Sequence, residues 1–376
     1  MTDYSKDRIW AEVNLDSALF TYDQIQKMAG GKKMMPVIKA DAYGHGAVTF
    51  AKVYLEAGAD CFAVSTANEA IELRDAGVTV PILVLGTVPA DCVKELVRQN
   101  IMLCVPCTEV AELYRTQTGG NPIKIQIKVD SGMGRLGFSG KHAADDVIKL
   151  ASDPDFELCG IFTHFASSGE RKQDEFTLRQ YKHYADVVGR LRSAGFHIPM
   201  VHCANSDAIV NFPDFLGDYV RPGIILYGYA SPSPDMLPLK PALSLRARVL
   251  QTKWIEAGQP VGYSCAWTAE KRTRIATISA GYADGLPRSA SMKIDMLVSG
   301  ARAPQVGRIC MDMSMLDVTA VPDVRVGDVV TIVGRDGDQS IWMDELAAKS
   351  GTIPHEPLTQ LTKRVPRYYV RDQEDS

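Results

Sequence analysis

The side chains with the clearest chemical potential are one lysine and a set of tyrosines, histidines and arginines spread along 376 residues. The lysine is Lys39, in the run Val37-Ile38-Lys39-Ala40-Asp41-Ala42-Tyr43-Gly44-His45-Gly46. Residues 34–38 are apolar and read as a short buried strand, so Lys39 stands at its carboxyl end. An amine held there loses part of its hydration. Desolvation lowers the pKa of an ammonium and frees the amine to act as a base or a Schiff-base nucleophile. The segment taken alone favours a surface lysine whose stem lies past the strand end, since lysines are mostly exposed. Its company favours chemistry. Lys128 and Arg135, His164, His202 with Asn205 and Ser206, and Arg221 with Gly223 all fall at or just after other apolar segments.

Those segments set the frame. Apolar strand candidates occur at 34–39, 61–65, 82–86, 101–105, 123–130, 158–164, 199–203 and 218–224. Helical stretches separate them, near 47–57, 67–76, 90–99, 108–117, 143–152, 174–194 and 206–211, with Thr66, Thr108 and Asn205 at expected caps. Eight such alternations predict an α/β fold whose first part is a (β/α)8 TIM barrel, with the polar groups gathered at the C-terminal ends of its strands. A doubly wound open sheet competes, but no G-x-G-x-x-G follows the first strand. A strand at 9–15 precedes the series, followed by a helix capped by Asp16 and running to about 29. From Ser231 to Pro241 four prolines mark a linker. Beyond it, strands at 243–254, 274–279, 292–298, 303–309, 314–317, 329–333 and 367–370, with helices near 341–350 and 355–363, predict a mainly β domain. The expected division is 1–234 and 235–376, with strand 9–15 pairing in the β domain because a barrel holds only eight.

Composition narrows the function classes. Hydrophobic residues make up 46% and the net charge is −4, which gives no basic surface for nucleic acid or an anionic membrane. No apolar run approaches the ~20 residues that cross a bilayer, and the polar start carries no signal-peptide core, so the expected location is cytoplasmic. The eight cysteines are scattered. Cys104 and Cys107 form a C-x-x-C with no second pair at zinc-ribbon spacing, so no metal is expected.

Taken in order, the motifs resemble alanine racemases of the pyridoxal-phosphate-dependent, barrel-plus-β-domain class. The resemblance rests on the Lys39 run and on Ala11-Glu-Val-Asn-Leu, Lys128-Val-Asp-Ser-Gly-Met-Gly-Arg-Leu-Gly, His202-Cys-Ala-Asn-Ser and Val220-Arg-Pro-Gly-Ile-Ile-Leu-Tyr-Gly. It continues through Val261-Gly-Tyr, Gly281-Tyr-Ala-Asp-Gly and Val306-Gly-Arg-Ile-Cys-Met-Asp, and so spans essentially the whole chain.

The resemblance implies interconversion of L- and D-alanine by two bases, supplying D-alanine for peptidoglycan. Lys39 matches the lysine that holds pyridoxal 5′-phosphate and works on one face of the substrate. Tyr263, reaching in from the second subunit of a homodimer, matches the base on the other face, with His164 and Arg221 as its expected positively charged surround. Arg221 matches the residue facing the pyridine nitrogen, with His202 and His164 holding the guanidinium. Tyr43, Asn205, Ser206, Gly223 and Ile224 match cofactor and phosphate contacts. Arg135, Met311 and Asp312 match the residues around the substrate carboxylate. Tyr282 matches the tyrosine at the entry channel. Lys128 matches a lysine that is carbamylated in parts of the family, and Asp130 and Asp312 are expected to relieve its like-charge contact with Arg135.

One position departs. The family usually has a tyrosine where His355 stands, touching the phosphate and narrowing the substrate site. A histidine there implies a roomier pocket that tolerates serine or other amino acids, or a neutral exchange that keeps one phosphate contact. Two other readings compete. A fold-related decarboxylase of basic amino acids usually has an acid opposite the pyridine nitrogen, where Arg221 stands. A cofactor-homeostasis protein resembles the barrel alone.

Overall fold

The computed structural model describes residues 4, 6–117, 122–230 and 237–372. The expected boundary at 234/235 and most of the proline-rich linker lie outside the described residues. The chain divides into two compact units, one formed by 19–42 and 46–240, the other by 1–18, 43–45 and 241–376.

Strand β1 (Ile9–Asn14) belongs to the second of these and leads into the helix Leu15–Met28. The cap of that helix is Asn14, whose Oδ1 accepts the Ser17 N–H at 2.8 Å, and not the expected Asp16, which lies within the first turn. The other unit is built on eight parallel strands: β2 (Lys33–Met34), β3 (Phe62–Val64), β4 (Ile82–Val84), β5 (Met102–Val105), β6 (Ile123–Lys128), β7 (Phe156–Phe162), β8 (Met200–His202) and β9 (Tyr219–Val220). Strands β3 to β8 pair in sequence order, and β2 pairs with β9. The ring is completed by a bridge between Val37 and Ala63 and by the Asp218 N–H donating to the Val201 carbonyl at 2.7 Å. Every residue of β3, β4 and β5 is buried, as befits parallel strands covered on both faces.

Of the other three expected caps, two are found. Thr66 forms a capping box with Glu69, and the Asn205 side chain accepts the Ala208 N–H. Thr108 instead has helical backbone, and the helix Thr108–Arg115 is entered through Cys107, which is extended and makes no side-chain cap.

The largest departure from expectation is at Lys39. The strand does not run through it. Lys39 opens a one-turn helix, Lys39–Gly44, in which Ala40, Asp41, Ala42 and Tyr43 have φ of 51, 54, 51 and 52°. This is a left-handed turn made of four residues that all carry a Cβ. Each such residue costs about 1–2 kcal/mol, so the turn persists only because its surroundings over-determine it. Ala42 N–H donates to the Ile38 carbonyl at 3.0 Å, and Gly46 N–H to the Asp41 carbonyl at 2.9 Å. Asp41 Oδ1 accepts the Ala47 N–H at 2.7 Å, at the start of the helix Ala47–Glu56.

The β-rich unit is a nine-stranded sheet ordered β18-β17-β14-β15-β16-β13-β10-β1-β19. Its backbone is β10 (Leu243–Ile255), which pairs with β1, with β13 (Thr273–Ile278) and with β17 (Val329–Asp336), helped by two register shifts. Strands β14 (Asp295–Val298), β15 (Ala301–Val306), β16 (Ser314–Asp317) and β18 (Gln339–Ile341) extend it. A hairpin of β11 (Pro260–Val261) and β12 (Trp267–Thr268) stands apart. The C-terminal β19 (Arg367–Val370) lies parallel to β1.

Ala40 is exposed, so changing it tests the backbone of the turn alone. Ala40→Gly removes a left-handed penalty of about 1 kcal/mol and adds a comparable unfolded-state entropy, so urea unfolding should move by less than about 1 kcal/mol. Ala40→Val puts a β-branched residue at positive φ and should lose about 1–3 kcal/mol in the same measurement.

Candidate active site

The barrel unit gathers five basic side chains at the strand ends: Lys39, Lys128, Arg135, His164 and Arg221. All the others act electrostatically on His164. At the centre is Arg221, one residue past β9 and fully enclosed. Its Nη1 donates to His202 Nδ1 at 2.7 Å. Its Nη2 donates to the carbonyls of Thr163 at 2.7 Å and Cys203 at 3.0 Å, and lies 3.5 Å from His164 Nδ1. Burial lowers Arg221 to about 10, which leaves it protonated near neutrality.

The donor directions fix the tautomer of His202. A guanidinium only donates, so His202 Nδ1 must present its lone pair and Nε2 must carry the hydrogen. Nε2 lies 2.6 Å from Gln126 Oε1, which accepts. Gln126 Nε2 in turn points at the sulfurs of Met102 (3.5 Å) and Met200 (3.2 Å). His202 also stacks on Phe162 at 5.1 Å with an interplanar angle of 7°. Burial first, then Arg221 and Lys128, hold His202 neutral well below the ordinary histidine range. Burial and the same positive charges keep His164 neutral, so of the two residues expected to be positively charged only Arg221 is.

Lys128 ends β6 with its Nζ 4.8 Å from the centre of the Phe162 ring, which also lies 5.6 Å from the Arg221 guanidinium. Burial, reinforced by Arg221, lowers Lys128 to about 7. Lys39 is lowered too, by burial and then by Arg135, while Glu69 acts the other way. Asp130 acts on Lys128 as an opposite charge, part of the relief expected there, without an ion pair to it among the described residues. Asp130 turns its carboxylate on the backbone, accepting from Gly132 (2.9 Å), Gly134 (3.1 Å) and Arg135 (2.8 Å). Asp312 is bound by Arg364 at 2.8 Å within the β-rich unit. The reason is reach: the glycine-rich turn after β6 offers Asp130 three N–H groups within five residues.

Asn205, Ser206, Gly223 and Ile224 form a second group. Asn205 Oδ1 accepts from Ala208 N–H and from Ser168 Oγ. Ser206 Oγ accepts the Gly223 N–H at 2.9 Å, so that amide is already engaged and is not an open donor. Ile224 opens the short turn Ile224–Tyr227.

In the β-rich unit, Tyr43 and His355 face each other with ring centres 5.8 Å apart. Burial pushes the Tyr43 hydroxyl up to about 12. Tyr263 is 68% exposed, on a tight turn where Ser264 and Cys265 have positive φ. It lines a groove of about 480 Å³ with Val261, Thr277, Cys310 and Met315. The Tyr282 N–H donates to the Cys310 carbonyl and the Ala283 N–H to the Met311 carbonyl, both at 3.0 Å, which fixes Tyr282 beside the Met311 backbone. The buried Asp284 carboxylate secures this turn by accepting from Arg8 (2.6 Å) and the Gly281 N–H (2.9 Å) and pairing with Arg364 (3.0 Å).

These elements match a family along the whole chain. Residues 13–231 fit the model for "Alanine racemase, N-terminal domain" and residues 242–369 that for "Alanine racemase, C-terminal domain". The chain belongs to the alanine racemase family. A curated alanine racemase of Halothermothrix orenii is 40% identical over 366 residues, covering 96% of each chain. The solved alanine racemase of Clostridium difficile superposes with a TM-score of 0.92 at 35% identity, over 98% of this chain and 97% of the other. An alanine racemase from Bacillus anthracis, solved with bound L-Ala-P, gives 0.90 at 36% identity over 98% and 96%. Among the described residues no helix is long and apolar enough to cross a membrane.

Two residues that contact this site, Gln126 and Glu69, were not singled out from the sequence. Gln126 had a signal: Lys124, Gln126 and Lys128 alternate along β6 and so share one face. Glu69 stands three residues after Thr66, the capping-box spacing, which marks a helix start but not a second partner.

Lys128 gives a pH test. Its pKa is depressed in the folded chain to about 7 from an unfolded value near ~10.4. Between those values the unfolded chain binds the extra proton, so this group makes stability rise with pH; below about 7 its cost is complete and constant. Lys128→Met should therefore be more stable than the parent near pH 7 in carbon-dioxide-free buffer. The difference should shrink as the pH is raised to 10, as read by urea midpoints.

Proposed function

We propose that the protein is a pyridoxal-phosphate-dependent racemase that interconverts L- and D-alanine in the cytoplasm and supplies D-alanine for the cell wall. The single observation that carries this reading is the excess of cations around Lys39. Arg135 acts on both Lys39 and Lys128, and Arg221 acts on Lys128, while the carboxylates of Asp41 and Asp130 are engaged by backbone N–H groups. Such a donor set fits an anionic, phosphate-bearing group.

When bound, pyridoxal phosphate supplies an electron sink that makes the α-proton of an attached amino acid acidic. Lys39 would tether it. Tyr43, Ser206, Gly223, Ile224 and His355 would hold the phosphate side, the Gly223 amide through a hydroxyl partner that can turn. Arg221 would meet the ring nitrogen as a donor that keeps its own proton, because it stays charged near neutrality and no acid replaces it. His202, held neutral by burial and oriented by Gln126, would keep Arg221 aimed by accepting and not repelling it. Lys39, its ammonium disfavoured by burial and by Arg135, would move the proton of D-alanine. Tyr263 of a second copy of the chain would move that of L-alanine. The exposure of Tyr263, Tyr282 and Met311 on one unit supports a homodimer that covers them. Arg135, Met311 and Asp312 would receive the substrate carboxylate, and Tyr282 would line the approach. Lys128, amine-like near neutrality, is suited to carbamylation, which would replace a cation beside Arg135 by an anion.

Lys39→Ala should abolish racemisation in both directions. Tyr263→Phe should lower it by about 10²–10⁴-fold while leaving solvent-deuterium exchange into D-alanine and removing it from L-alanine. Symmetric loss of both exchanges in Tyr263→Phe would reject the two-base assignment.

The His355 ring beside Tyr43 supports a second, finer reading: tolerance of serine. His355→Tyr should lower kcat/KM for serine relative to alanine, by the ~10-fold or more that ~1–3 kcal/mol of pocket discrimination allows. An unchanged ratio across the two substrates would remove this reading.

A further inference from the structure

The Glu69 carboxylate is shared by two separate segments of the barrel unit. Its Oε2 accepts the N–H groups of Ser65 (2.7 Å) and Thr66 (3.0 Å), and Thr66 Oγ1 accepts the Glu69 N–H at 3.3 Å. That half is a capping box for the helix Ala67–Asp75. The box does not use Oε1. This oxygen reaches the N–H of Ala40 at 2.7 Å, the peptide immediately after Lys39 and the first residue of the left-handed turn. The remaining hydrogen bonds of the turn lie further along it or within its own loop.

We propose that Glu69 is a positioning residue for Lys39: its carboxylate fastens the Lys39–Ala40 peptide to the segment after β3 and so sets where the amine leaves the strained turn. This rests on the reading of Lys39 as the tether and base. The charges acting on Lys39 are Arg135 and Glu69, with the neutral His164 also within its field. Glu69 is thus the anion that offsets Arg135, and it acts through the same carboxylate that holds the backbone.

The test separates this role from helix capping. Glu69→Gln keeps the length of the side chain and removes its charge. Thr66→Ala removes the other half of the capping box and leaves the Ala40 contact. In the full chain freed of cofactor, the Lys39 amine is trace-labelled with acetic anhydride from pH 6 to 11 and the Lys39 peptide is quantified by mass spectrometry. Glu69→Gln should bring the labelling midpoint down by about half a pH unit or more, the direction expected when an opposite charge is removed; Thr66→Ala should leave it in place. An unmoved midpoint in Glu69→Gln, or an equal shift in Thr66→Ala, overturns the proposal. Hydrogen exchange in the unsubstituted chain gives a second reading that needs no variant. The Ala40 amide should be protected, and exchange at the rate of a free peptide would overturn the proposal. Alanine racemisation by the unsubstituted holoenzyme is measured separately, so failure of the assigned activity is told apart from failure of the Glu69 contact.

Discussion

Everything at the barrel end follows from keeping a guanidinium out of water. Removing Arg221 from solvent is costly unless each of its donors finds an acceptor. Two carbonyls and one imidazole lone pair take three of its five N–H donors. The choice of an imidazole has a consequence. His202 must stay neutral and must hold its single hydrogen on the far nitrogen, which in turn requires an acceptor there. Gln126 is that acceptor, and an amide suits the place because its other end can face two sulfurs without needing a charge. The neutrality of His164 and the lowered amines of Lys39 and Lys128 are further effects of the same burial and the same positive field.

Carboxylates are handled differently in the two units. In the barrel, Asp41, Glu69 and Asp130 bind backbone N–H groups and so shape turns. None is paired with a basic side chain among the described salt bridges. The cationic excess is therefore left for a ligand. In the β-rich unit, Asp284 and Asp312 pair with Arg8 and Arg364 and knit the Tyr282 turn to the chain's terminal segments. One arrangement attracts an anion; the other stiffens a scaffold.

Strain is concentrated where position matters. Four consecutive residues after Lys39 adopt a backbone that side chains disfavour, and the turn bearing Tyr263 adds two more. A relaxed strand end would let Lys39 wander over several rotamers and backbone states. A turn held from both sides by carboxylates cannot, and the precision of the amine is the return for the strained backbone.

Sequence alone determined what depends on local pattern and residue type. Eight apolar segments separated by helices gave the barrel, and the glycine- and proline-punctuated strands gave the β-rich part. Strands 314–317 and 367–370 and the helix 206–211 were read with their observed bounds, because a short periodic run ends where its periodicity ends. The residues of the candidate site were legible from their types and motif order. Tertiary structure alone decided how they behave. The left-handed turn at Lys39 is invisible to propensity, since alanine and tyrosine disfavour it and the distant Glu69 carboxylate joins the local hydrogen bonds that sustain it. The neutral state of His164, the tautomer of His202 and the engagement of Gly223 by Ser206 depend on partners 17 or more residues away. So does the double use of Glu69. Sequence pattern reports which groups are present; desolvation and long-range pairing, which set their charge and direction, exist only once the chain has folded.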